Sequence, residues 1–472
     1  MPPRFPLRFR SAPPRRAFSC AVRHRQVSEL PQAAELPERN PPVYQATRQN
    51  DLLGLHWHSP LRTVLLMKKE DAPHVTESLV ELAYHIQTTY PDVNLLFEPN
   101  VAHAIHDRLP STVYALPLQK REAEQVLHGS VDLITTLGGD GTILHAASLY
   151  ANAKQVPPIL AFSMGTLGFL GEWKFAEYKR AFREVFMSGA SAAAEQTLDP
   201  VSSTGTEDIV RIADDPWASL RGKFMGTHRH ARILLRHRLK VSVHTPARLV
   251  STGASSSASG PAHKKPLLTG KHPSLATAQT LARGNTKLPP SPLYALNEII
   301  LHRGRNPHLT VIGITVNGRH LTDAIADGLI VASPTGSTAY SLSSGGCIVH
   351  PLVPSLILTP ISPRSLSFRP LVLPANAEIT LRVAESNRSD GVDVSIDGMR
   401  LEEPLGRGGE VRITGEDVGL RGIGRGEKGT PLLGGVPSIV RGTNGGMTRG
   451  EDHWVGGLNG LLKFNYPFGE EV

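Results

Sequence analysis

The chain has 472 residues, 40% hydrophobic, 19% charged and 6% aromatic, which gives room for two or three domains with sizeable cores and excludes both a small disulfide-stapled module and a wholly disordered chain. Its formal charge of +8 would suggest an anionic partner, but Arg4, Arg8, Arg10, Arg15, Arg16, Arg23 and Arg25 all precede the first acid, Glu29, so the rest is close to neutral and no nucleic acid is expected as a partner. No membrane is expected either: the longest apolar stretch, around Ile348 to Ile361, is cut by Pro351, Pro354 and Pro360, whereas a spanning helix needs about 18 uninterrupted apolar residues.

Residues 1–28, arginine-rich, acid-free and carrying Phe5, Leu7, Phe9, Phe18 and Val22, read as a mitochondrial transit segment with the matrix as destination. Pro2, Pro3, Pro6, Pro13 and Pro14 leave a disordered basic arm as the alternative; either way the leader runs to about residue 45. Of two cysteines, Cys20 lies in this leader, so the mature chain keeps Cys347 alone and supports neither an internal disulfide nor a zinc or iron–sulfur site.

From Arg62, short apolar runs alternate with helical periodicity. Thr63 to Met67 reads as a buried strand, His74 to Tyr90 as a helix with Leu79, Leu82, Ala83 and Ile86 on one side, and Val93 to Phe97, Val131 to Leu137 and Ile159 to Ser163 as further strands. Strands separated by helices predict a parallel sheet with ligand-facing loops at its carboxyl ends, an α/β domain over roughly 60–190. After about Ala231 the segments Ile233 to Val243, Leu296 to His302, Leu309 to Val316, Leu329 to Ala332, Glu378 to Val383, Val392 to Ile396 and Glu410 to Ile413 are short and β-rich. They predict an all-β, sandwich-like domain over 191–420 with one helix after Thr338. Residues 251–290 contain no acid and no Phe, Trp or Tyr, and read as a flexible insertion. Residues 421–450 read as a glycine-rich loop; Gly424, Gly426 and Gly429 match a dinucleotide fingerprint, but no apolar strand precedes them. The segment 451–472 regains Leu458, Leu461, Leu462, Phe464 and Tyr466 and is expected to dock back on a domain.

The strongest chemical signal lies within Val131 to Tyr150. A buried strand runs into Gly138-Gly139-Asp140-Gly141 and then a helix whose Ile143, Leu144, Ala147 and Tyr150 share an apolar face while His145 points away. Glycines let backbone and ligand approach closely, and a helix start offers free N–H groups to phosphate. A carboxylate there repels phosphate but can accept a hydroxyl proton; capping the helix is the plainer alternative. A second loop, Asp327 to Ser343, crowds hydroxyls beside glycine, which binds polar ligands without adding charge. Asn297 and Glu298 interrupt an apolar strand, where neighbours point to opposite faces and one of the two can be structural. No P-loop, kinase HRD and DFG set, HExxH or GxSxG is present.

These residues resemble the NAD kinases, and within them the fungal mitochondrial NADH kinases: the GGDG loop, the Asn297-Glu298 pair, DGLIVASPTGSTAYSLSSGG from Asp327, and HPLVPSLILTPISPRSLSFRPLVLP from His350 occur in that family's order, and DHWVGGLNGLLKFNYPFGE resembles the fungal branch. GGDG alone is shared with lipid kinases and some phosphofructokinases. The resemblance implies a fold like that of NAD kinases and diacylglycerol kinases, and phosphorylation of the adenosine-ribose 2′-hydroxyl of NADH or NAD by ATP with a divalent metal, Mg²⁺. It implies Asp140 as general base, Gly141 as a backbone contact, His145 near phosphate, and Asn297 and Glu298 holding the dinucleotide. Asp327, Thr338, Ala339, Tyr340 and Ser343 would complete a pocket that relatives form partly across a subunit contact, so a homo-oligomer is implied. Several relatives carry arginine two residues before this Asp; here it is Ile325. A lipid kinase of the diacylglycerol or sphingosine type and a non-catalytic dinucleotide-binding regulator are the alternatives; neither an acyl-chain groove nor a membrane-binding segment supports the first, and Asp140 argues against the second.

Overall fold

A computed structural model describes residues 35–46, 52–165, 168–188, 230–245, 292–420 and 432–441, together with Trp454, Leu458 and Leu462. The leader before residue 35, the insertion 251–290, the Gly424–Gly429 fingerprint and most of 451–472 fall outside those residues.

The first domain is a ten-stranded sheet. Five strands run parallel in the order Ile159–Ser163, Leu133–Gly138, Thr63–Lys68, Asn94–Phe97 and Tyr114–Ala115. The three at its centre are apolar and almost wholly buried, as expected of strands covered on both faces. The helix Pro73–Thr89 starts on a proline, whose missing N–H costs nothing there, and buries Val75, Leu79, Leu82, Ala83 and Ile86 at helical spacing. Asp132, fully buried, accepts the amides of Arg62 at 2.7 Å and Thr63 at 3.1 Å, which fixes the entry of two neighbouring strands. Leu133–Gly138 and Ile159–Ser163 are parallel neighbours, Gly138 opposite Ser163, so the loops that follow them emerge side by side at the carboxyl end.

The second domain packs two antiparallel sheets, of six and seven strands. Ile312, Ile314, Leu381, Val411 and Ile413 of one face Ile299, Leu301, Leu329, Val331, Leu356 and Val394 of the other in one buried cluster. This is the expected sandwich.

The domain limits read from sequence differ from the structure in three places. Strands Val43–Ala46 and Leu53–His56 already belong to the first sheet, ahead of the predicted start near residue 60. The run Ile233 to Val243 is two strands: Arg232–Arg236 adds to the first sheet, and Leu239–His244 opens the second domain. Inside the expected glycine-rich loop, Val436–Val440 is a fully buried strand of the first sheet, antiparallel to Arg232–Arg236 and parallel to Ile159–Ser163. Five residues between glycine-rich flanks carry too short an apolar pattern to stand out, but they suffice for a strand flanked on both sides. The chain thus crosses between domains at residues 237–238 and again after Glu416. Arg238 and Glu416 meet there: guanidinium Nε and Nη2 donate to carboxylate Oε2 and Oε1, at 2.8 and 2.7 Å. Arg238 also donates to the carbonyls of Tyr150 at 3.2 Å and Ala153 at 2.8 Å just past the Asp140–Ser148 helix. Breaking such a buried pair on one side costs about 3–5 kcal/mol.

Candidate active site

Asp140 is the first residue of the helix Asp140–Ser148, with Gly139 as the N-cap. Its carboxylate does not cap that helix. It accepts two amides from the loop after the neighbouring strand: Phe169 N–H to Oδ2 at 3.0 Å and Leu170 N–H to Oδ1 at 3.1 Å. The capping alternative is therefore set aside. Gly168 touches this carboxylate so closely that a Cβ would collide with Oδ1, whereas a Cβ on Gly139 or Gly141 would meet open space. The loop therefore faces free volume on its glycine side, the cradle a phosphate-bearing ligand needs.

His145, further along the helix, bonds through Nε2 to Glu98 Oε1 at 2.8 Å. That bond holds its pKa above the ordinary histidine value against the opposing pull of burial.

Asn297 and Glu298 sit where the strand read as Leu296 to His302 breaks. Leu293–Ala295 pairs in the six-stranded sheet and Glu298–His302 in the seven-stranded one. Leu296 shares a buried cluster with Ile143 and Ala147 of the Asp140 helix and with Tyr150 just past its end, and Tyr294 N–H reaches Ala151 O at 2.9 Å. The segment that leads into Asn297 and Glu298 thus packs by the C-terminal end of the helix that begins at Asp140. Each is 7% exposed, and Asn297 Oδ1 and Glu298 Oε2 have no hydrogen-bond partner among the described residues. Burial first, then the nearby Asp397 charge, pushes the Glu298 carboxyl up to about 8. Two buried, unpartnered polar atoms are costly unless a ligand brings hydrogen-bond partners to them.

Thr338, Ala339 and Tyr340 join them. The turn Thr335–Thr338 and the short helix Tyr340–Ser343 follow the strand Gly328–Ala332, and Glu298 lies opposite Ala332 in the ladder. A Tyr340 backbone hydrogen bond reaches Glu298. Ser333 N–H donates to Asn297 O at 2.8 Å, and Gly336 lies against the same carbonyl, where a Cβ would not fit. Tyr340 and Ser343 are exposed. Asp327 does not join this group: it precedes the same strand at its other end, beside the His302–Gly328 pair, about 16 Å away at strand rise. It is paired with Arg303, Nε to Oδ1 at 2.6 Å.

Four elements escaped the sequence reading. The loop Gly165 to Gly171 carries three glycines immediately after a buried strand, a signal that could have flagged it. Asp397-Gly398 reads as a hairpin turn, and both have positive φ. What the pattern cannot reveal is that the Asp397 carboxylate accepts the amides of Leu296 at 2.6 Å, Asn297 at 2.7 Å and Glu298 at 3.1 Å, anchoring the whole site segment. Glu98 and Arg236 are single charges on otherwise ordinary elements, and nothing local marks them.

Comparison with known proteins agrees with this architecture. The ATP-NAD kinase N-terminal domain matches residues 67–190 and the ATP-NAD kinase C-terminal domain residues 296–416. The mitochondrial NADH kinase POS5 of Saccharomyces cerevisiae is 32% identical over 438 residues, 88% of this chain and 84% of that protein. The mitochondrial NADH kinase pos5 of Schizosaccharomyces pombe is 32% identical over 440 residues, 92% and 84% respectively. Among solved structures, yeast NADH kinase complexed with NADH superposes with a TM-score of 0.63 at 30% identity, covering 93% of this chain and 99% of that one. The lipid-kinase and regulator alternatives are thereby set aside: the chain belongs to the ATP-NAD kinase family and is an NAD(H) kinase.

Proposed function

We propose that the chain transfers the γ-phosphate of ATP to the adenosine-ribose 2′-hydroxyl of NADH or NAD, with Asp140 as the general base. The carrying observation is a carboxylate oriented by two backbone amides at a glycine cradle that opens on free volume. A sugar hydroxyl is a poor nucleophile, so the work is alignment, neutralisation of the triphosphate and removal of the proton as the new bond forms. In a loose phosphoryl transition state the proton leaves late, and an ordinary carboxylate suffices.

Gly141 offers its backbone and His145 a positive charge to phosphate. Asn297 Oδ1 accepts from a donor of the dinucleotide, Glu298 hydrogen-bonds to it through Oε2, and Thr338, Ala339, Tyr340 and Ser343 border the same pocket. The ATP would bring a Mg²⁺ ion with it, held chiefly by phosphate oxygens and water. The position of Asp327, a strand's length from Glu298, supports its serving the pocket of a second copy of the chain in a homo-oligomer. The two mitochondrial relatives support a mitochondrial location, and we assign the matrix as the compartment. Parallel coupled assays of the purified protein with NADH and NAD test the reaction; failure of both to yield the 2′-phosphorylated product rejects it.

A further inference from the structure

Arg236 ends the strand that leads out of the first domain, and it is 1% exposed. Its Nε donates to Ser438 Oγ at 3.1 Å on the neighbouring strand, and its Nη2 donates to Phe169 O at 3.3 Å. That carbonyl belongs to the same peptide unit whose N–H, on Leu170, donates to Asp140 Oδ1 at 3.1 Å. In a trans peptide C=O and N–H point in opposite directions. The Phe169–Leu170 peptide therefore lies between a buried cation and the carboxylate, its dipole aligned with both. Among the described residues Asp140 has no ion pair of its own, and Arg236 Nη1 has no hydrogen-bond partner.

We propose that Arg236 is a positioning residue for catalysis: through the Phe169–Leu170 peptide it holds the amide that orients and stabilises the Asp140 carboxylate. Hydrogen bonds in series between charges of opposite sign polarise and strengthen one another, and a flanking charge makes each stronger than its neutral counterpart. Burial pulls the guanidinium down while Glu172 first and then Asp140 hold it up, so Glu172 is the larger compensating charge and Asp140 the second, reached across the peptide rather than by contact. Ser438 holds the adjacent Nε donor on the same guanidinium edge, which ties Val436–Val440, a strand nearly three hundred residues from Asp140 in sequence, to the geometry of the base. The other charged groups of the neighbourhood are Glu172 on the same loop and, further along the helix, His145 with Glu98 and Glu70.

The inference rests on Asp140 being the base, and the test separates the two. Arg236→Met keeps an unbranched side chain of similar length and removes the donors. Measured on the full chain, kcat should fall about ten-fold or more with KM for NADH within about three-fold, because the loss belongs to the transition state. The acid limb of the kcat–pH profile should move up, since a carboxylate that loses a donor is a stronger base. A lowered Tm with kcat and the acid limb unchanged overturns the proposal. Should Arg236→Met not fold, Ser438→Ala loosens the same guanidinium at its Nε; a two- to three-fold loss in kcat with the same shift supports the proposal, and an unmoved profile overturns it. In the Asp140→Asn background Arg236→Met should change kcat less than two-fold, whereas a full additive loss overturns the coupling. If Asp140→Asn itself keeps near wild-type kcat, the base assignment falls and this inference with it; if it is crippled while Arg236→Met is silent, only this inference falls.

Discussion

In the α/β half of the site the ionisable side chains already have partners: Asp140 takes two amides and His145 is bonded to Glu98. In the β half the reverse holds, with Asn297 Oδ1 and Glu298 Oε2 buried and unpartnered over a backbone fixed by Asp397 and Ser333. The difference follows from the tasks. A base must be ionised and aimed before the substrate arrives, so its stabilising donors belong to the protein. A residue that recognises a ligand must keep its hydrogen-bonding capacity for it, so rigidity is supplied through the main chain beneath.

The largest effect expected from this contrast is that of Asp140→Asn. The amide keeps size and most hydrogen bonding but cannot take a full proton. In steady-state assays kcat should fall by about 10² to 10⁴ while KM for NADH changes little. A pure rise in KM would move Asp140 to the binding side and erase the distinction.

Asp397→Asn probes the opposite half. Asparagine tolerates the positive φ at this position, but its single acceptor oxygen cannot satisfy three amides. Initial-rate kinetics should show KM for NADH rising about ten-fold with kcat nearly kept, the mirror image of Asp140→Asn. A smaller effect, about three-fold in KM for ATP above pH 7, is expected from Glu98→Gln, because losing the charged acceptor lets the His145 pKa drop. NMR titration of the His145 ring should follow the same shift; an unchanged titration would deny Glu98 that role.

Glu298 gives the β half a pH signature. Its pKa in the folded protein, about 8, lies above the ordinary value of 4.5, so between those values the native state holds a proton that the unfolded chain has released. Its contribution to stability is fully present below 4.5 and is lost as pH rises through about 8. Glu298→Gln removes that dependence. The variant's Tm should exceed wild type by about 3 °C at pH 8.5, with the gap closing towards pH 5. A constant gap in thermal melts would mean that Glu298 is ionised in the folded chain.

What the sequence made legible divides along the same line. The parallel strands, the 73–89 helix and the sandwich follow from periodicity, because each buries a face large enough to leave a pattern. Asp140, Asn297 and Glu298 stood out as polar residues breaking apolar runs. Arg236, Asp397 and Glu98 did not, since their roles arise from contacts between elements far apart in sequence. The strand 436–440 was missed for a related reason: its partners are more than 190 residues away, and no local signal marks a strand added to a sheet laid down long before.

The smallest effect should come from the insertion. Strands Leu239–His244 and Leu293–Ala295 pair antiparallel, Val241 opposite Leu293, so the two strands that flank residues 251–290 are already adjacent. The Leu293–Ala295 strand is the edge of the six-stranded sheet, and Glu298 lies in the other sheet. Removing residues 251–290 leaves eight residues, 245–250 and 291–292, between the two strands, and shortening a connection changes closure entropy by only about 1–2 kcal/mol, in the stabilising direction. The deleted segment has no acid and no aromatic residue to contribute to a core or to the carboxylate chemistry. Activity of the deletion variant should therefore stay within about two-fold of wild type in both kcat and KM, with Tm unchanged or slightly raised. A loss confined to KM would instead draw the insertion into the substrate-holding half, and a loss confined to kcat would tie it to the Asp140 loop.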